Sequence, residues 1–466
     1  MRPLPAATPL RTTPWRHQSE AVAYIRQLQR RGKRGGMIAA VMGTGKSAMT
    51  VYLCAEEGFQ RILILCPLRV VQVWRPQFQL HSTVPFMVVA LDDSFASVRK
   101  KRDEAERQIQ LAKARGVPAV VVINYDSAWR TPFAEWALKQ KWDLVVADEI
   151  HRCKAPGGKA SRFLARLAKV ARFRLGLSGT PMPHSPLDVY GYFRFIDSTI
   201  FGWSFNKFRQ RYAVMGGFQN RQITGYEHLD ELNQKFYSVT YACGKDVLDL
   251  PAEMHVTHAC QLGPEARRVY RSLERDLMAE VRSGEITAAN AMVKLLRLQQ
   301  ITGGTIRTDD GAEVQIDSAK ATLLREVLED LAADEPVVVF CRFHRDLDAA
   351  HRVADETGRR SLELSGRADD LKRWHAGEAP VLAVQIESGG TGVDLTRARY
   401  AIYYSLGFSL GSYEQSLARI HRPGQTRPVE YIHLVAEGTV DEKVMAALAR
   451  RADVVNAVLQ QMKGQE

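Results

Sequence analysis

The residues best suited to chemistry lie in the stretch Ala40-Val41-Met42-Gly43-Thr44-Gly45-Lys46-Ser47. A short apolar run, Gly36-Met37-Ile38-Ala39, precedes it and reads as a buried strand; Ala48 to Ala55 reads as the helix that follows. Glycines at a strand-to-helix turn let the backbone wrap a phosphate chain, with several N–H groups and the positive helix terminus facing the anion. Gly43, Thr44 and Gly45 form that wrap, Lys46 reaches the β- and γ-phosphates, and the Ser47 hydroxyl holds Mg²⁺. A hundred residues on, the apolar run Lys141-Trp142-Asp143-Leu144-Val145-Val146-Ala147 delivers Asp148-Glu149-Ile150-His151. An Asp at a strand tip suits Mg²⁺ opposite Ser47, and a Glu beside it suits the attacking water. His151 fits a relay to neighbouring elements or an ordinary hydrogen-bonded core histidine. Gln18 stands upstream of the loop, and its paired donor and acceptor match the edge of adenine.

Elements of fixed type must position these groups. Arg61–Pro67 and Val117–Asn124 are further apolar strands, separated by helical stretches that include the charged segment 97–114. Continuous apolar strands alternating with helices predict a parallel sheet covered on both faces. Residues 185–250 change character: aromatics such as Tyr190, Phe193, Phe201, Trp203 and Phe208 recur at helical spacing, and Gly216–Gln222 suggests a small hairpin. A second helical part follows at 251–315, and a second α/β pattern begins near Asp317, with strands at 336–340, 381–385, 401–404 and 429–435 and a closing helix from Val440. The expected divisions are 1–184, 185–250, 251–315 and 316–466.

Composition sets the class. The chain has 466 residues, enough for two or three domains, and a formal net charge of +12. Such a basic excess favours a polyanionic partner, nucleic acid before an acidic membrane surface. Six scattered cysteines lack any Cys-x-x-Cys pair, which argues against zinc and against a disulfide framework. No apolar run approaches a membrane span, and the first residues lack the core of a signal peptide, so the expectation is a cytoplasmic chain with no membrane partner.

Further stretches complete a pattern: Arg174–Pro181 with Leu-Ser-Gly-Thr-Pro at its end, Lys245–Pro251, Ser388–Leu395, Gln415–Gln425 and Glu437–Lys443. With the phosphate loop and the Asp-Glu pair, these resemble in order and spacing the motifs of superfamily-two helicases and translocases, most closely the Swi/Snf branch. The resemblance spans roughly residues 14–450, and its compact form looks like versions carried by bacteria and bacteriophages. It implies an α/β fold of two RecA-like lobes with helical insertions, ATP and Mg²⁺ as cofactors, and double-stranded DNA as partner, held mainly by phosphate.

The same resemblance implies roles for matching residues. Gln18 contacts adenine; Gly43, Gly45, Lys46 and Ser47 hold phosphate and metal; Asp148 and Glu149 serve Mg²⁺ and water. Ser178 and Thr180 couple nucleotide state to lobe contact, Gly392 and Asp394 line the cleft, and Arg419 and Arg422 act as arginine fingers from the second lobe. The expected DNA contacts are Arg69, Asn124, Tyr125 and Lys154 in the first half, and Arg342, Arg367, Ser388, Gly389, Gly390 and Thr391 in the second. The implied activity is duplex tracking driven by ATP hydrolysis, in a bacterial or phage-infected cell. A strand-separating helicase is one alternative, although the sequence shows no obvious base-stacking wedge. A nucleotide-gated DNA-binding switch with negligible turnover is another, and Glu149, Arg419 and Arg422 speak against it.

Overall fold

The computed structural model describes residues 8–183, 185–216, 222–283, 288–307, 313–387 and 393–460. The chain divides into two compact units, one built on Met1–Asp249 and the other on Leu250–Asp453. Each is organised by its own all-parallel sheet.

The first unit contains β1 (Gly35–Ala40), β2 (Arg61–Cys66), β3 (Met87–Leu91), β4 (Ala119–Asn124), β5 (Trp142–Asp148), β6 (Ala171–Ser178), a hairpin of β7 (Ala213–Gly216) and β8 (Gln222–Tyr226), and β9 (Thr240–Cys243). Seven of these form the main sheet in the order β3-β4-β2-β5-β6-β1-β9. β1 and β4 are buried along their whole length, as their unbroken apolar sequences require when helices cover both faces. The helix Arg16–Arg30 buries Ala21, Val22, Ile25 and Leu28, an i, i+4, i+7 stripe that turns its basic face outward. The stretch 185–250 is not only helical: it supplies the β7–β8 hairpin and the seventh sheet strand β9. Residues 217–221, the expected turn of the hairpin, lie outside the described residues. Apart from the exposed Trp203, the aromatic run packs as core, with Phe193, Phe201, Phe208 and Tyr212 in successive edge and tilted contacts.

The second unit begins with β10 (Glu253–Cys260), then a small ribbon of β11 (Thr305–Arg307) and β12 (Glu313–Gln315), then β13 (Val337–Cys341), β14 (Ser361–Leu364), β15 (Val381–Gln385), β16 (Tyr400–Tyr403) and β17 (Val429–Ala436). Its six-stranded sheet has the order β10-β17-β16-β13-β15-β14. The period-2 alternation of β13 is visible in the packing: Val337, Val339 and Cys341 join one apolar layer, and Val338 and Phe340 join the opposite one. Glu253–Cys260 was expected within a helical part. It is an edge strand in register with all eight residues of β17, and its mixed sequence reflects the half of it that faces solvent.

Candidate nucleotide site and expected DNA contacts

β1 ends at the phosphate loop. Gly43 and Gly45 have φ of 90° and 84°, a left-handed backbone that only glycine adopts without strain. Thr44 Oγ1 donates to the Val41 carbonyl at 2.8 Å and tightens the turn. The helix Lys46–Glu57 starts directly after Gly45, and no side chain caps it, so its first N–H groups face the loop mouth without a side-chain acceptor. Lys46 Nζ donates to the Ala40 carbonyl at 2.8 Å and to Val41 at 3.4 Å, so its charge rests on the loop's own oxygens. Two side chains of the first helix hold the loop from behind. His17 Nε2 and Gln18 Nε2 lie 2.9 and 3.0 Å from the Thr44 carbonyl, and Gln18 Oε1 accepts from the Trp15 N–H at 2.9 Å. A Cβ on Gly45 would fall 2.4 Å from Gln18 Nε2, which ties that glycine to that glutamine.

The tip of β5 supplies the carboxylates. Asp148 and Glu149 are both buried. Glu149 has φ 51° and ψ 50°, a left-handed conformation that costs an L residue roughly 1–2 kcal/mol and turns the chain sharply off the strand. Burial, with the adjacent Glu149 charge, pushes the Asp148 carboxyl up, while Lys46 pulls the other way. Burial also acts to raise Glu149, but His151 beside it and the charges of Lys46 and Arg152 outweigh this and hold it below the usual carboxylate range. Glu149 Oε2 lies 3.3 Å from His151 Nδ1 and is a buried oxygen without a hydrogen bond.

From His151 a polar chain runs to the end of β6. His151 Nδ1 is 3.0 Å from Ser178 Oγ, which accepts the Thr180 N–H at 3.1 Å. Thr180 Oγ1 is buried and unbonded. Gly179 lies against the phosphate loop, where an added Cβ would sit 3.4 Å from Lys46 Nζ. The ends of β5, β6 and β1, neighbours in the sheet, therefore bring together Lys46, Asp148, Glu149, His151, Ser178 and Thr180. The crevice at the carboxyl ends of parallel strands is where α/β sheets bind ligands. Oxygen donors such as Ser47 and Asp148 suit Mg²⁺, and the loop's glycines leave room where side chains would block an anion, so the residues fit Mg²⁺ and a triphosphate.

In the second unit, Arg419 lies buried near the end of the helix Leu410–Ile420. Arg422 is half-buried and donates to the Val393 carbonyl at 3.4 Å. Between them, His421 Nε2 is 2.7 Å from the Pro251 carbonyl and Nδ1 is 2.9 Å from Glu253 Oε2, so the first residues of this unit are tied to the arginine-bearing turn. Gln425 closes the turn through the Thr396 and Ala398 carbonyls. Asp394 is exposed, and its Oδ1 accepts from Thr396 N–H and Oγ1 at 2.9 and 2.8 Å, an Asx turn. Gly392 and the segment Ser388, Gly389, Gly390 and Thr391 lie outside the described residues.

The expected DNA-contacting residues separate into two groups. Arg69 is exposed, and Lys154 and Arg342 are half-buried. Arg342 bonds Gln299 Oε1 and lies over the Phe343 ring, 5.3 Å from its centroid. Asn124, Tyr125 and Arg367 are each engaged within the protein: the first two are buried, and Arg367 is exposed but ion-paired. Asn124 is buried beside Lys101, whose Nζ donates to its Oδ1 at 3.4 Å. Tyr125 is buried and donates its hydroxyl to the Asp148 carbonyl at 2.8 Å, so it props the strand tip. Arg367 pairs with Glu363 at 2.8 Å and Asp348 at 2.6 Å, which neutralises its charge locally and pushes its pKa up. Sequence reasoning had missed the loop-holding roles of His17 and Gln18, and it had no signal for Gly191, where a Cβ would strike the Lys154 carbonyl at 2.0 Å.

Phosphate-loop geometry at the head of one parallel sheet, fed by an Asp-Glu strand tip and a Ser-Gly-Thr turn, is that of a helicase-type nucleoside triphosphatase with two RecA-like lobes. Residues 17–304 match the family model described as SNF2-related domain, and 319–424 match that of the helicase conserved C-terminal domain. The chain belongs to the SNF2-related family, and with it to the ATP-dependent helicase-like enzymes. It is 28% identical to a putative protein of Acyrthosiphon pisum secondary endosymbiont phage 1, over 91% of this chain and 94% of that one. It is 21% identical to an uncharacterized ATP-dependent helicase of Mycoplasma genitalium over 95% of this chain, and spans only 42% of that relative's length. Among solved structures it is similar to the SWI2/SNF2 ATPase core of Sulfolobus solfataricus in complex with dsDNA, at 20% identity and a TM-score of 0.45, covering 98% of this chain and 95% of that one. No helix among the described residues is long and apolar enough to cross a membrane.

Proposed function

We propose that this chain is an ATP-dependent double-stranded DNA translocase, acting in the cytoplasm of a bacterial or phage-infected cell. The observation that carries the hydrolytic half is the buried Glu149 carboxylate, whose Oε2 accepts no hydrogen bond and lies 3.3 Å from His151, at the same carboxyl end of the sheet as Lys46. Held ionised by His151, Glu149 accepts a proton from water as the water oxygen attacks the γ-phosphorus. The bond to the β–γ bridging oxygen breaks, and the proton passes on to released phosphate or solvent. Lys46 exchanges the Ala40 and Val41 carbonyls for phosphate oxygens. Mg²⁺, when bound by Ser47 and Asp148, supplies positive charge to the β- and γ-phosphates. Gln18, fixed against the loop, keeps a second N–H and a second lone pair for the adenine edge.

Arg419 and Arg422 would complete the charge on the transferred phosphoryl group from the second unit, making hydrolysis depend on domain closure. The His151–Ser178–Thr180 chain gives the γ-phosphate a path to the turn after β6. Net charge of +12 and the exposed Arg69, with Lys154, Arg342 and the segment 388–391, support a backbone-tracking contact with DNA. One observation favours a second reading, strand separation: Trp203 is 78% exposed, as a base-stacking wedge would be. ATPase rates with duplex DNA, single-stranded DNA and RNA of equal length decide between them. Duplex DNA is expected to stimulate most, and stimulation by single strands alone would overturn the duplex reading.

A further inference from the structure

The outer edge of the first sheet carries a feature that nucleotide chemistry does not use. β3 is the edge strand, and among the described residues no strand pairs with its outer side. The chain runs from β2 out to β3, then back to β4, reversing direction across the sheet. Right-handed crossovers in opposite directions put the two connecting helices, Trp74–His81 and Val98–Arg115, on opposite faces. Between them the edge of β3 forms the floor of a trough of about 750 Å³.

The floor has unmet hydrogen-bonding capacity. The Met87 N–H points inward, to the Pro118 carbonyl at 2.8 Å. Main-chain groups alternate along a strand, so Val88 and Ala90, both lining the trough, turn their N–H and C=O groups outward. Phe86, Phe95 and Leu111 give apolar walls, each half-buried. The rim is positive: Glu104 is paired with Arg107 at 2.6 Å, leaving the exposed Arg75 and Arg115 as its excess charge. An edge strand with two outward N–H/C=O pairs, apolar walls and a basic rim suits an added strand whose side chains alternate apolar and acidic. A second copy of this chain suits it poorly, because Arg75 and Arg115 would meet their own kind.

We propose that this trough docks an extended, acidic segment of a partner protein, which adds to the sheet as an eighth strand beside Met87–Leu91. The segment's backbone pairs with Val88 and Ala90, and its side chains alternate between the two helices, so the apolar set packs against one helix and the carboxylates meet the arginine of the other, Arg75 or Arg115. The assignment is independent of the reaction at Lys46.

The test uses the full chain and a fluorescein-labelled, end-blocked heptapeptide, Glu-Val-Thr-Val-Asp-Val-Glu, followed by fluorescence anisotropy and by amide hydrogen exchange. Saturable binding is expected, about tenfold tighter than for the same peptide with lysine at the acidic positions. Exchange at Val88 and Ala90 slows on binding. Ala90→Pro removes one outward N–H at a position where an edge strand tolerates proline, and weakens binding about fivefold. Arg75→Glu combined with Arg115→Glu reverses the peptide preference, and both variants keep wild-type ATPase activity. Absence of binding, unchanged exchange at Val88 and Ala90, or equal affinity for the lysine peptide overturns the proposal. So does dimerisation of the chain that Ala90→Pro abolishes, or binding seen only after residues 1–7 are removed, because either outcome assigns the trough to this chain itself.

Discussion

Replacing Glu149 by Gln separates hydrolysis from binding. The substitution keeps the side chain's shape, and glutamine at φ 51° is no more strained than glutamate. It removes the proposed base and the carboxylate charge 3.3 Å from His151 Nδ1. A positioned general base contributes about 10²–10⁴-fold, so turnover should fall by that factor, equivalent to about 2.7–5.5 kcal/mol in the barrier. Nucleotide affinity should hold or rise slightly, because Lys46, Gln18 and the loop are untouched and one negative charge near the triphosphate is gone. Folding should not suffer, since the change also relieves repulsion between two adjacent buried carboxylates. The assay pairs single-turnover phosphate release with equilibrium binding of a fluorescent ATP analogue. Turnover within a factor of about three of wild type would refute the role of Glu149, because no general base is worth so little. Loss of binding alongside turnover would show that Glu149 holds the site together rather than acting on water.

Three other outcomes follow from the contacts. Tyr125→Phe should cost about 1 kcal/mol of stability by removing the bond to the Asp148 carbonyl and leave the salt dependence of DNA binding unchanged, whereas Arg69→Ala should reduce that log–log slope by about one. Salt titrations of DNA affinity check both, and an altered slope in Tyr125→Phe would restore it as a phosphate contact. His421→Ala frees Pro251 and Glu253 and should lower DNA-stimulated turnover about 2- to 30-fold with nucleotide affinity unchanged; equal loss with and without DNA would contradict a coupling role. Burial pushes Asp346 up to about 6, so its proton is favoured in the folded state, and the contribution of this group to stability falls as pH rises from about 4 through 6. Asp346→Asn should therefore gain about 2 kcal/mol relative to wild type between pH 4.5 and 7.5 in urea unfolding, and a pH-independent difference would refute the assignment.

Much of the fold and of the nucleotide site is legible in the sequence because the strands that carry them are central and doubly covered. β1, β2, β4 and β13, and β5 from Leu144 to Ala147, read as apolar runs, and the proposed chemistry sits at the ends of β1 and β5. The edge elements hide. Glu253–Cys260 has polar residues throughout because much of it faces solvent, and Thr240–Cys243 is only four residues long. Long-range partners hide for a different reason: nothing near Arg367 in sequence shows that Asp348 will neutralise it, nor near Tyr125 that its hydroxyl meets Asp148. The left-handed turn at Glu149 is invisible too, since no glycine marks it. Its conformation is imposed by the packing around it, and sequence patterns report residue preference rather than strain.

Tracking itself is tested most directly by displacement of a third strand from a duplex. A labelled triplex-forming strand bound to a linear duplex should be released by this chain with ATP, in proportion to the duplex length leading up to it, and should stay in place with Glu149→Gln. ATP consumed at a duplex-stimulated rate while the third strand remains bound would contradict the central claim that hydrolysis moves the protein along DNA.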